Sequence, residues 1–441
     1  MNWKSLLSPA RFGQQPRTNT NPDDIRSEFQ RDYDRLIFSS PFRRMQNKTQ
    51  VFPLPGSVFV HNRLTHSLEV ASVGRSLGNL VFANIRHMLN PEERELVREI
   101  GTVVATACLA HDLGNPPFGH SGEKAISYFF SKALDKELKD QLSEVQYADL
   151  LTFEGNANLL RLLTHQFQGR RKGGYALTFA SLGAMIKYPW NSLATGNKKK
   201  FGHFQPEEET FQQIMAHLEI PVQDEQKGIF SRHPLVYLVE AADDICYQVM
   251  DLEDAQKLSI VSRETVKQLF MNFLTGDSGK EDKIHQTLTE VTDPNEQIAY
   301  LRAMVIGKLT YAAAEVFAKN YVSIMEGSFN TKLLKLITPN LASAMKECEQ
   351  VALHQVYKHP SVVKIEISGY NILGALLQEF YQAIITPRED YSQKILSLMP
   401  QQYQPLHDDL YSRARAVTDF ISGMTDVYAV DMYRQIRGTD L

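Results

Sequence analysis

The chain has 441 residues, of which 43% are apolar and 22% are charged, and its formal net charge is −4. This composition is typical of a folded soluble protein, and the small acidic excess excludes a generally basic nucleic-acid or membrane-surface binder. The three cysteines are far apart in apolar stretches, which predicts buried thiols in a reducing compartment. Without a signal-peptide pattern or an apolar run of about 18 residues, the sequence predicts a cytoplasmic protein with no membrane partner.

Helical periodicity dominates the chain from the first long element onward. After Thr65, apolar residues at i, i+4 and i+7 predict a helix whose inner face begins at His66. A long helical segment is predicted over 93–110, and the stretch 235–249 is apolar almost all round, as in a buried central helix. Further helices are predicted over 262–274, 297–319, 340–356, 372–385 and 412–433.

Alternating, strand-like patterns are rare in this sequence. The stretch 50–60 is one candidate, and its prolines and glycine predict a short hairpin or a loop. The predicted fold class is therefore all-α. An N-terminal segment (1–30) is expected to precede a metal-bearing helical core (31–260), with a helical C-terminal part (261–441) packed onto it. An independent second domain is the alternative.

The dipeptide His111-Asp112, in the run LAHDLGNPPFGHSGE, ends a strongly apolar stretch. Burying a polar pair there is costly unless a partner compensates it, and a metal ion is one such partner. His66 lies upstream and Asp243-Asp244 lies downstream, each also on an apolar helix. Alone, His66 fits a hydrogen-bonded core histidine and the aspartates fit a helix-surface pair, but together the three segments favour one shared cation. Two imidazoles and two carboxylates, with no cysteine spacing to match, suit Mn²⁺, Mg²⁺, Fe²⁺, Co²⁺ or Ni²⁺.

The order His66, His111-Asp112, Asp243 resembles that of the HD superfamily of metal-dependent phosphohydrolases. Longer strings resemble its dGTPase branch, the deoxynucleoside triphosphate triphosphohydrolases, over about residues 35 to 433. They are HNRLTHSLEVASVGRSLG, HDLGNPPFGHSGE, TFEGNANLLRLL, LTFASLGAMIKYPW, KKFGHFQPEEETF, YLVEAADDICYQVMDLEDA and ISGMTD. The resemblance implies an HD-domain helical core with a divalent metal ion, Mn²⁺ or Mg²⁺ before the others.

The same resemblance implies that the metal is held by His66, His111, Asp112 and one downstream aspartate. Helix geometry leaves Asp243 and Asp244 both open. The family spacing, with a tyrosine four residues after the aspartate and a second aspartate eight after it, selects Asp243, followed by Tyr247 and Asp251.

The implied reaction is hydrolysis of a dNTP, with dGTP the first substrate to test, to deoxynucleoside and inorganic triphosphate. His120 and Glu123 resemble the catalytic pair, since a nearby carboxylate fixes the tautomer of an imidazole and raises its pKa. The alternative is a surface histidine beside a helix N-terminus. Glu154, in TFEGNAN, is a further candidate partner of this pair.

Substrate contacts are also implied by the resemblance. The phosphates are assigned to Arg63, Lys187 and Tyr247, with Tyr188 next to them, and the 3′-hydroxyl to Gln50 and Asp251. Tyr247, expected to be buried, would pack under the sugar and exclude a 2′-hydroxyl. The lysine run 198–200 fits a solvated loop, although its KKFGHF context also matches the family.

The expected partners are a dNTP substrate and further copies of the chain, with a hexamer among the forms known in the family. The resemblance also leaves room for a dNTP effector. Two other functions stay open: hydrolysis of another nucleotide by an HD enzyme, and a nucleotide-binding or single-strand nucleic-acid-binding regulator. For the last, Arg170, Arg171 and Lys172 offer a local basic groove, which the net charge does not support.

Overall fold

The computed structural model describes residues 1–15, 25–52, 59–134, 136–195, 199–276 and 278–439. In these residues the chain is built mainly of α-helices, which confirms the predicted all-α class. The strands described are a short antiparallel pair, Val222–Asp224 (β1) and Ile229–Phe230 (β2), which the sequence pattern did not predict. The predicted hairpin or loop over 50–60 lies largely outside the described residues, at 53–58. Its flanks, Thr49 and Asn62, form an isolated bridge.

The first half of the chain contains the helices that position His66, His111 and His120. They are Trp3–Leu6 (α1), Glu28–Ile37 (α2), Ser40–Arg44 (α3), Arg63–Ile85 (α4), Pro91–Val97 (α5), Ile100–Ala110 (α6), His120–Ala133 (α7), Lys136–Lys139 (α8), Glu144–Leu151 (α9), Gly155–Thr164 (α10), Phe179–Met185 (α11) and Glu208–His217 (α12).

The second half begins with the central helix and continues as longer helices. They are Val236–Lys257 (α13), Arg263–Leu274 (α14), Ser278–Glu290 (α15), Pro294–Lys319 (α16), Tyr321–Glu326 (α17), Pro339–Val351 (α18), Pro360–Ile385 (α19), Asp390–Ser397 (α20), Leu410–Ser422 (α21) and Asp426–Arg437 (α22). A π-turn, Ala352–Val356, follows α18. None of the helices in the described ranges has both the length and the apolarity needed to cross a membrane.

Two predicted helices are each divided in the structure. The segment 93–110 breaks at Arg98 and Glu99, where the backbone tightens into three-residue turns, with Glu99 N–H donating to Leu96 O over 3.1 Å. The segment 412–433 breaks after Ser422, because Thr425 caps the next helix by accepting a hydrogen bond from Tyr428 N–H. A capping side chain thus interrupts the apolar pattern at Thr425, whereas the first break consists of tight backbone turns without a capping side chain.

The helices pack around two apolar cores. The larger surrounds α4, α6 and α13, and the smaller joins α7 to α19 and α21. Helices α4 and α6 approach closely at paired glycines, since a Cβ on Gly78 would lie 2.7 Å from Gly101 Cα. The three cysteines are buried free thiols, as predicted. This packing brings the first turn of α4, the end of α6 and the middle of α13 together.

Candidate active site and metal centre

The His/Asp cluster lies where α4, α6 and α13 meet. His66 is on the first turns of α4, which Asn62 caps, and only 2% of its surface is exposed. His111 and Asp112 directly follow the last residue of α6. Ligand-type atoms of His66, His111 and Asp112 lie within 4.8 Å of one another. Asp243 on α13 completes the group, with its Oδ1 3.3 Å from His66 Nε2 and 3.5 Å from His111 Nε2.

Protonation and tautomers in this cluster suit a divalent cation. His111 Nδ1 lies 2.6 Å from Cys108 O, so it donates there and leaves Nε2 free to accept a metal ion. Burial opposes ionisation of Asp112, but the charge of Arg63 and the two imidazoles outweighs it and lowers the pKa of Asp112 to about 2. Burial also opposes ionisation of Asp243, but His111 and His66 hold its pKa well below the usual range. Two imidazoles and two ionised carboxylates therefore fit a hard or borderline cation.

Asp244 has a different environment from Asp243. Both of its carboxylate oxygens accept hydrogen bonds from Lys332 Nζ, at 2.8 and 3.1 Å. Burial raises the pKa of Asp244, and Lys332 only partly offsets this. By these distances Asp243, and not Asp244, lies in the His/Asp cluster.

A cavity of about 420 Å³ opens beside the cluster. It is lined by the cluster residues His111, Asp112 and Asp243 and by most of the other predicted site residues, namely Gln50, Arg63, His120, Glu123, Lys187, Tyr188 and Tyr247. Within the described part of the chain, His66 and Asp251 are the two predicted site residues that do not line it. His66 belongs to the His/Asp cluster but does not border the cavity. Asp251 accepts a hydrogen bond from Tyr357, which does border it.

His120 and Glu123 form a hydrogen-bonded pair on the first turn of α7. His120 Nδ1 lies 2.8 Å from Glu123 Oε2, and the His120 side chain is 76% exposed in the cavity whereas Glu123 is buried. Gly119 precedes the helix with φ +56°, and a Cβ there would collide with the guanidinium of Arg63. The backbone therefore allows Arg63 and His120 to share one wall.

Lys200 and Glu154 adjoin this pair. Glu154 was a candidate partner of the pair in the sequence, whereas Lys200 was not assigned to it. Lys200 Nζ lies 2.6 Å from Glu154 Oε2 and 3.6 Å from Glu123 Oε2. The expectation of a solvated loop is therefore wrong for Lys200, while Lys198 lies outside the described residues. The signals that pointed to this wall were the strings TFEGNAN and KKFGHF.

Basic side chains gather on the cavity wall nearest Asp243. Arg63 Nη1 bonds Asp112 Oδ2 over 2.6 Å, and Lys187 Nζ lies 3.6 Å from Glu240 Oε1. Burial disfavours the charge of Lys187, but Asp243, Tyr188 and Glu240 outweigh burial and raise its pKa. Arg63 and Lys187 therefore both face the cavity as cations.

Two stacked tyrosines also belong to the site. Tyr247 stacks on Tyr357 with 5.9 Å between ring centroids, and Tyr247 is 36% exposed, which corrects the expectation of a buried ring. Tyr357 Oη donates to Asp251 Oδ2 over 2.7 Å. Burial raises the pKa of Asp251 to about 8, although the Tyr357 bond partly offsets it. Val362, Ile365 and Glu366 also line the cavity, and sequence reasoning missed all of them.

Two polar atoms at predicted substrate contacts are buried without a hydrogen-bond partner among the described residues. They are Gln50 Oε1 and Arg63 Nε. A buried polar atom left unpaired is costly, so such atoms are typical of sites that a ligand completes. The predicted basic groove lies elsewhere: Arg170 and Arg171 border a separate cavity of about 330 Å³, with Arg44 and Tyr403.

Comparison with known protein families agrees with this arrangement. Residues 63–150 match the HD domain, and residues 336–435 match the phosphohydrolase-associated domain. A deoxyguanosinetriphosphate triphosphohydrolase-like protein of Synechocystis sp. is 36% identical over the whole of both chains. The chain belongs to the dGTPase family of HD-domain proteins. A similarly named protein of Pseudomonas aeruginosa is 38% identical over 99% of each chain. A deoxyguanosinetriphosphate triphosphohydrolase of Klebsiella pneumoniae is 32% identical over 100% of this chain and 98% of its own.

Membership of the dGTPase family makes the chain an HD-type hydrolase, as the sequence predicted. The HD match contains His66, His111, Asp112, His120 and Glu123, and leaves Asp243 outside. The second match contains Tyr357 and Glu366. Residues from both matched regions therefore line the cavity.

Proposed function

We propose that this protein is a metal-dependent dNTP triphosphohydrolase that converts dGTP to deoxyguanosine and inorganic triphosphate. The observation that carries the proposal is a single cavity. It is lined by residues of the His/Asp cluster, by the His120–Glu123 pair, by the cations Arg63 and Lys187, and by the stacked tyrosines Tyr247 and Tyr357. The names of the relatives support the choice of substrate class.

His66, His111, Asp112 and Asp243 are the residues that would hold the ion. A divalent ion bound there would act as a Lewis acid and make water nucleophilic at neutral pH. The donor set admits Mn²⁺ or Mg²⁺ first, and Fe²⁺, Co²⁺ or Ni²⁺ as well.

Hydrolysis breaks the bond between the 5′ oxygen and the α-phosphorus, so the leaving oxygen needs a proton. His120 supplies it from Nε2, because Nδ1 is already bonded to Glu123. Glu123 is itself fixed by the Gly155 N–H, which donates to Oε1 over 2.8 Å. A carboxylate held in this way stabilises the imidazolium before transfer and orients the ring during it.

The triphosphate is recognised by charge. Arg63 offers a planar guanidinium whose Nε is unpaired among the described residues, and Lys187 offers a second cation at the same wall. Tyr188 borders them as a hydroxyl donor. These groups offset the negative charge of the triphosphate, from which the nucleoside 5′ oxygen departs.

The sugar and base lie toward the tyrosines. Gln50 lines the cavity, and Asp251 accepts a hydrogen bond from Tyr357, which stacks on Tyr247. Both are proposed to bind the 3′-hydroxyl, with Tyr247 under the ribose. Glu366, with Val362 and Ile365, lines the cavity from the first turns of α19. A carboxylate accepts two adjacent N–H donors, and guanine presents such a pair at N1 and N2, which favours dGTP.

The test is to incubate the purified protein with Mn²⁺ and each dNTP or NTP separately and to separate the products by chromatography. We expect deoxynucleoside and inorganic triphosphate as products, formed from dNTPs only. Equal cleavage of GTP and dGTP would favour an HD phosphohydrolase of another nucleotide. Monophosphate with pyrophosphate would contradict the proposed bond cleavage.

Two further proposals extend the same assay. Turnover in dNTP mixtures but not with single dNTPs would indicate a dNTP effector, and sedimentation analysis would give the order of the proposed homo-oligomer. If metal binds but no nucleotide is cleaved, a binding role becomes the better account. A low-salt gel shift with single-stranded DNA, using an Arg170/Arg171 double alanine variant, would then test the basic groove.

A further inference from the structure

Two buried carboxylates meet on the cavity wall beside His120. Glu123 is 7% exposed and Glu154 is 2% exposed. One oxygen of each is held by backbone: Glu123 Oε1 by the Gly155 N–H over 2.8 Å, and Glu154 Oε1 by the Asn156 N–H over 3.3 Å. The other oxygen of each faces Lys200 Nζ, at 3.6 Å for Glu123 and 2.6 Å for Glu154.

Two adjacent buried carboxylates repel each other, so both ionise only if a cation is shared. Burial opposes ionisation of Glu123, but His120 and Lys200 outweigh it and lower the pKa of this carboxyl. Burial and the Glu123 charge raise the pKa of Glu154 in spite of Lys200. Lys200 therefore faces two carboxylates, and Glu123, which bonds His120, is the more readily ionised of the two.

We propose that Lys200 and Glu154 are positioning residues that set the charge beside the His120–Glu123 pair, with the Lys200 ammonium offsetting the Glu123 carboxylate and the Glu154 carboxylate offsetting Lys200. Lys200 acts through Glu123, and Glu154 acts through Lys200. The inference rests on the proposed function in one respect only, namely that the His120–Glu123 pair moves the proton during hydrolysis.

Other charged or titratable groups also lie near this wall. Tyr188 lies beside Lys200, and Arg63 lies against Gly119. Helix α19, packed against α7, contributes Glu366 to the same cavity. Helix α9 also packs against α7, and its Asp149 accepts hydrogen bonds from Tyr411 Oη and Gln205 N–H.

Variants of Lys200 and Glu154 are expected to shift the His120 pKa in opposite directions. Lys200→Met removes a positive charge near His120, which stabilises the imidazolium and raises the His120 pKa. Glu154→Gln leaves Lys200 uncompensated, which destabilises the imidazolium and lowers the His120 pKa. Each shift should be at least about half a pH unit. A merely structural role would move both variants in the same direction or neither.

The measurement is an NMR titration of the full-length protein carrying ¹³C-labelled histidine. The chain has 13 histidines, so the His120 signal is identified by its loss in His120→Gln. Lys199→Met is the matched control, because Lys199 is the exposed neighbour in sequence, and it should leave the titration unchanged. Shifts of the same sign in Lys200→Met and Glu154→Gln, or no shift in either, would overturn the proposal.

The pH profile of kcat/KM for dGTP gives the second readout. Its basic limb should move up in Lys200→Met and down in Glu154→Gln, with KM changed less than kcat. If the wild-type protein cleaves no dNTP, the proposed function fails while the NMR titration still decides the role of Lys200. If dNTPs are cleaved but the titration does not move, the positioning role alone is wrong.

Discussion

At the scale of single residues, the neighbouring carboxylates Asp243 and Asp244 show how environment divides two identical side chains. Asp243 faces two imidazoles and Asp244 faces Lys332. One α-helical step of about 100° is enough to send them to different partners. Because only ionised carboxylates beside other ligands contribute to a metal site, the two positions should differ sharply in metal affinity.

Asp243→Asn should weaken Mn²⁺ binding by at least about 100-fold, since even the partners of metal ligands typically contribute 10- to 100-fold. Asp244→Asn is the matched control and should change the affinity by less than about threefold. Isothermal titration calorimetry on metal-stripped protein measures both. The reverse ranking would transfer the ligand role to Asp244.

The prediction about base preference concerns Glu366. If its carboxylate accepts the N1 and N2 donors of guanine, Glu366→Gln should lower kcat/KM for dGTP by about 10- to 100-fold, on the scale of one charged hydrogen-bonded pair. The values for dATP and dCTP should change by less than about threefold. Competition assays with paired dNTPs measure this ratio, and a uniform loss over all dNTPs would place Glu366 outside base recognition.

At the scale of elements, the segment just before α4 is tied to α13 by an ionic contact. His61 Nδ1 lies 2.8 Å from Asp254 Oδ2, and His61 Nε2 lies 3.1 Å from Glu69 Oε1. Burial opposes the charge of His61, but its hydrogen bonds to Asp254 and Glu69 outweigh burial and raise its pKa to about 10. The imidazolium thus joins the start of the α4 segment, which carries Arg63 and His66, to the helix that carries Asp243.

The sign of the pH dependence follows from the raised pKa. The folded state keeps the His61 proton up to about pH 10, and the unfolded state releases it near pH 6.5. The contribution of His61 to stability is therefore complete below pH 6.5 and is lost as the pH rises toward 10, by up to about 5 kcal/mol.

Urea unfolding of the wild-type protein and His61→Asn at pH 6.5, 8 and 9.5 measures this. The stability difference between them should shrink as the pH rises. Lys48, whose pKa burial lowers to about 7, contributes with the opposite sign in this range, so only the difference between variants isolates His61. His285→Asn, at an exposed position, is the control. A difference independent of pH would contradict the assigned ion pair.

At the scale of the whole molecule, the smaller core links the two predicted parts of the chain. Phe129 and Phe130 on α7 pack in it with Leu376, Leu377 and Phe380 on α19. Each large apolar side chain contributes about 1.5–3 kcal/mol when buried. We therefore propose that 31–260 and 261–441 form one folding unit.

A fragment ending at residue 260 should accordingly show no cooperative thermal transition and should bind the dye ANS. The control is co-expression of 1–276 with 277–441, a break next to the exposed Gly276 that keeps both halves of the core. This pair should melt cooperatively. A cooperative, metal-binding 1–260 fragment would instead favour two independent domains.

The sequence determined those features that depend on short-range spacing. Helical periodicity predicted the all-α class and the inward face of His66, and the three-residue step from His120 to Glu123 places both on one helix turn. The longer sequence strings that resemble the dGTPase branch predicted the family. Helix breaks at Glu99 and Gly423 were missed, since tight backbone turns at Glu99 and the Thr425 cap after Gly423 decide them and an apolar pattern does not report them.

The tertiary structure alone decided which distant residues complete the site. Lys200 comes to the His120–Glu123 pair from a loop, and Tyr357 and Glu366 come from the C-terminal part. The choice of Asp243, which the sequence made only through family spacing, became a matter of measured distances. Periodicity tells which face of a helix is buried, whereas contacts between segments far apart in sequence depend on how all the helices pack together.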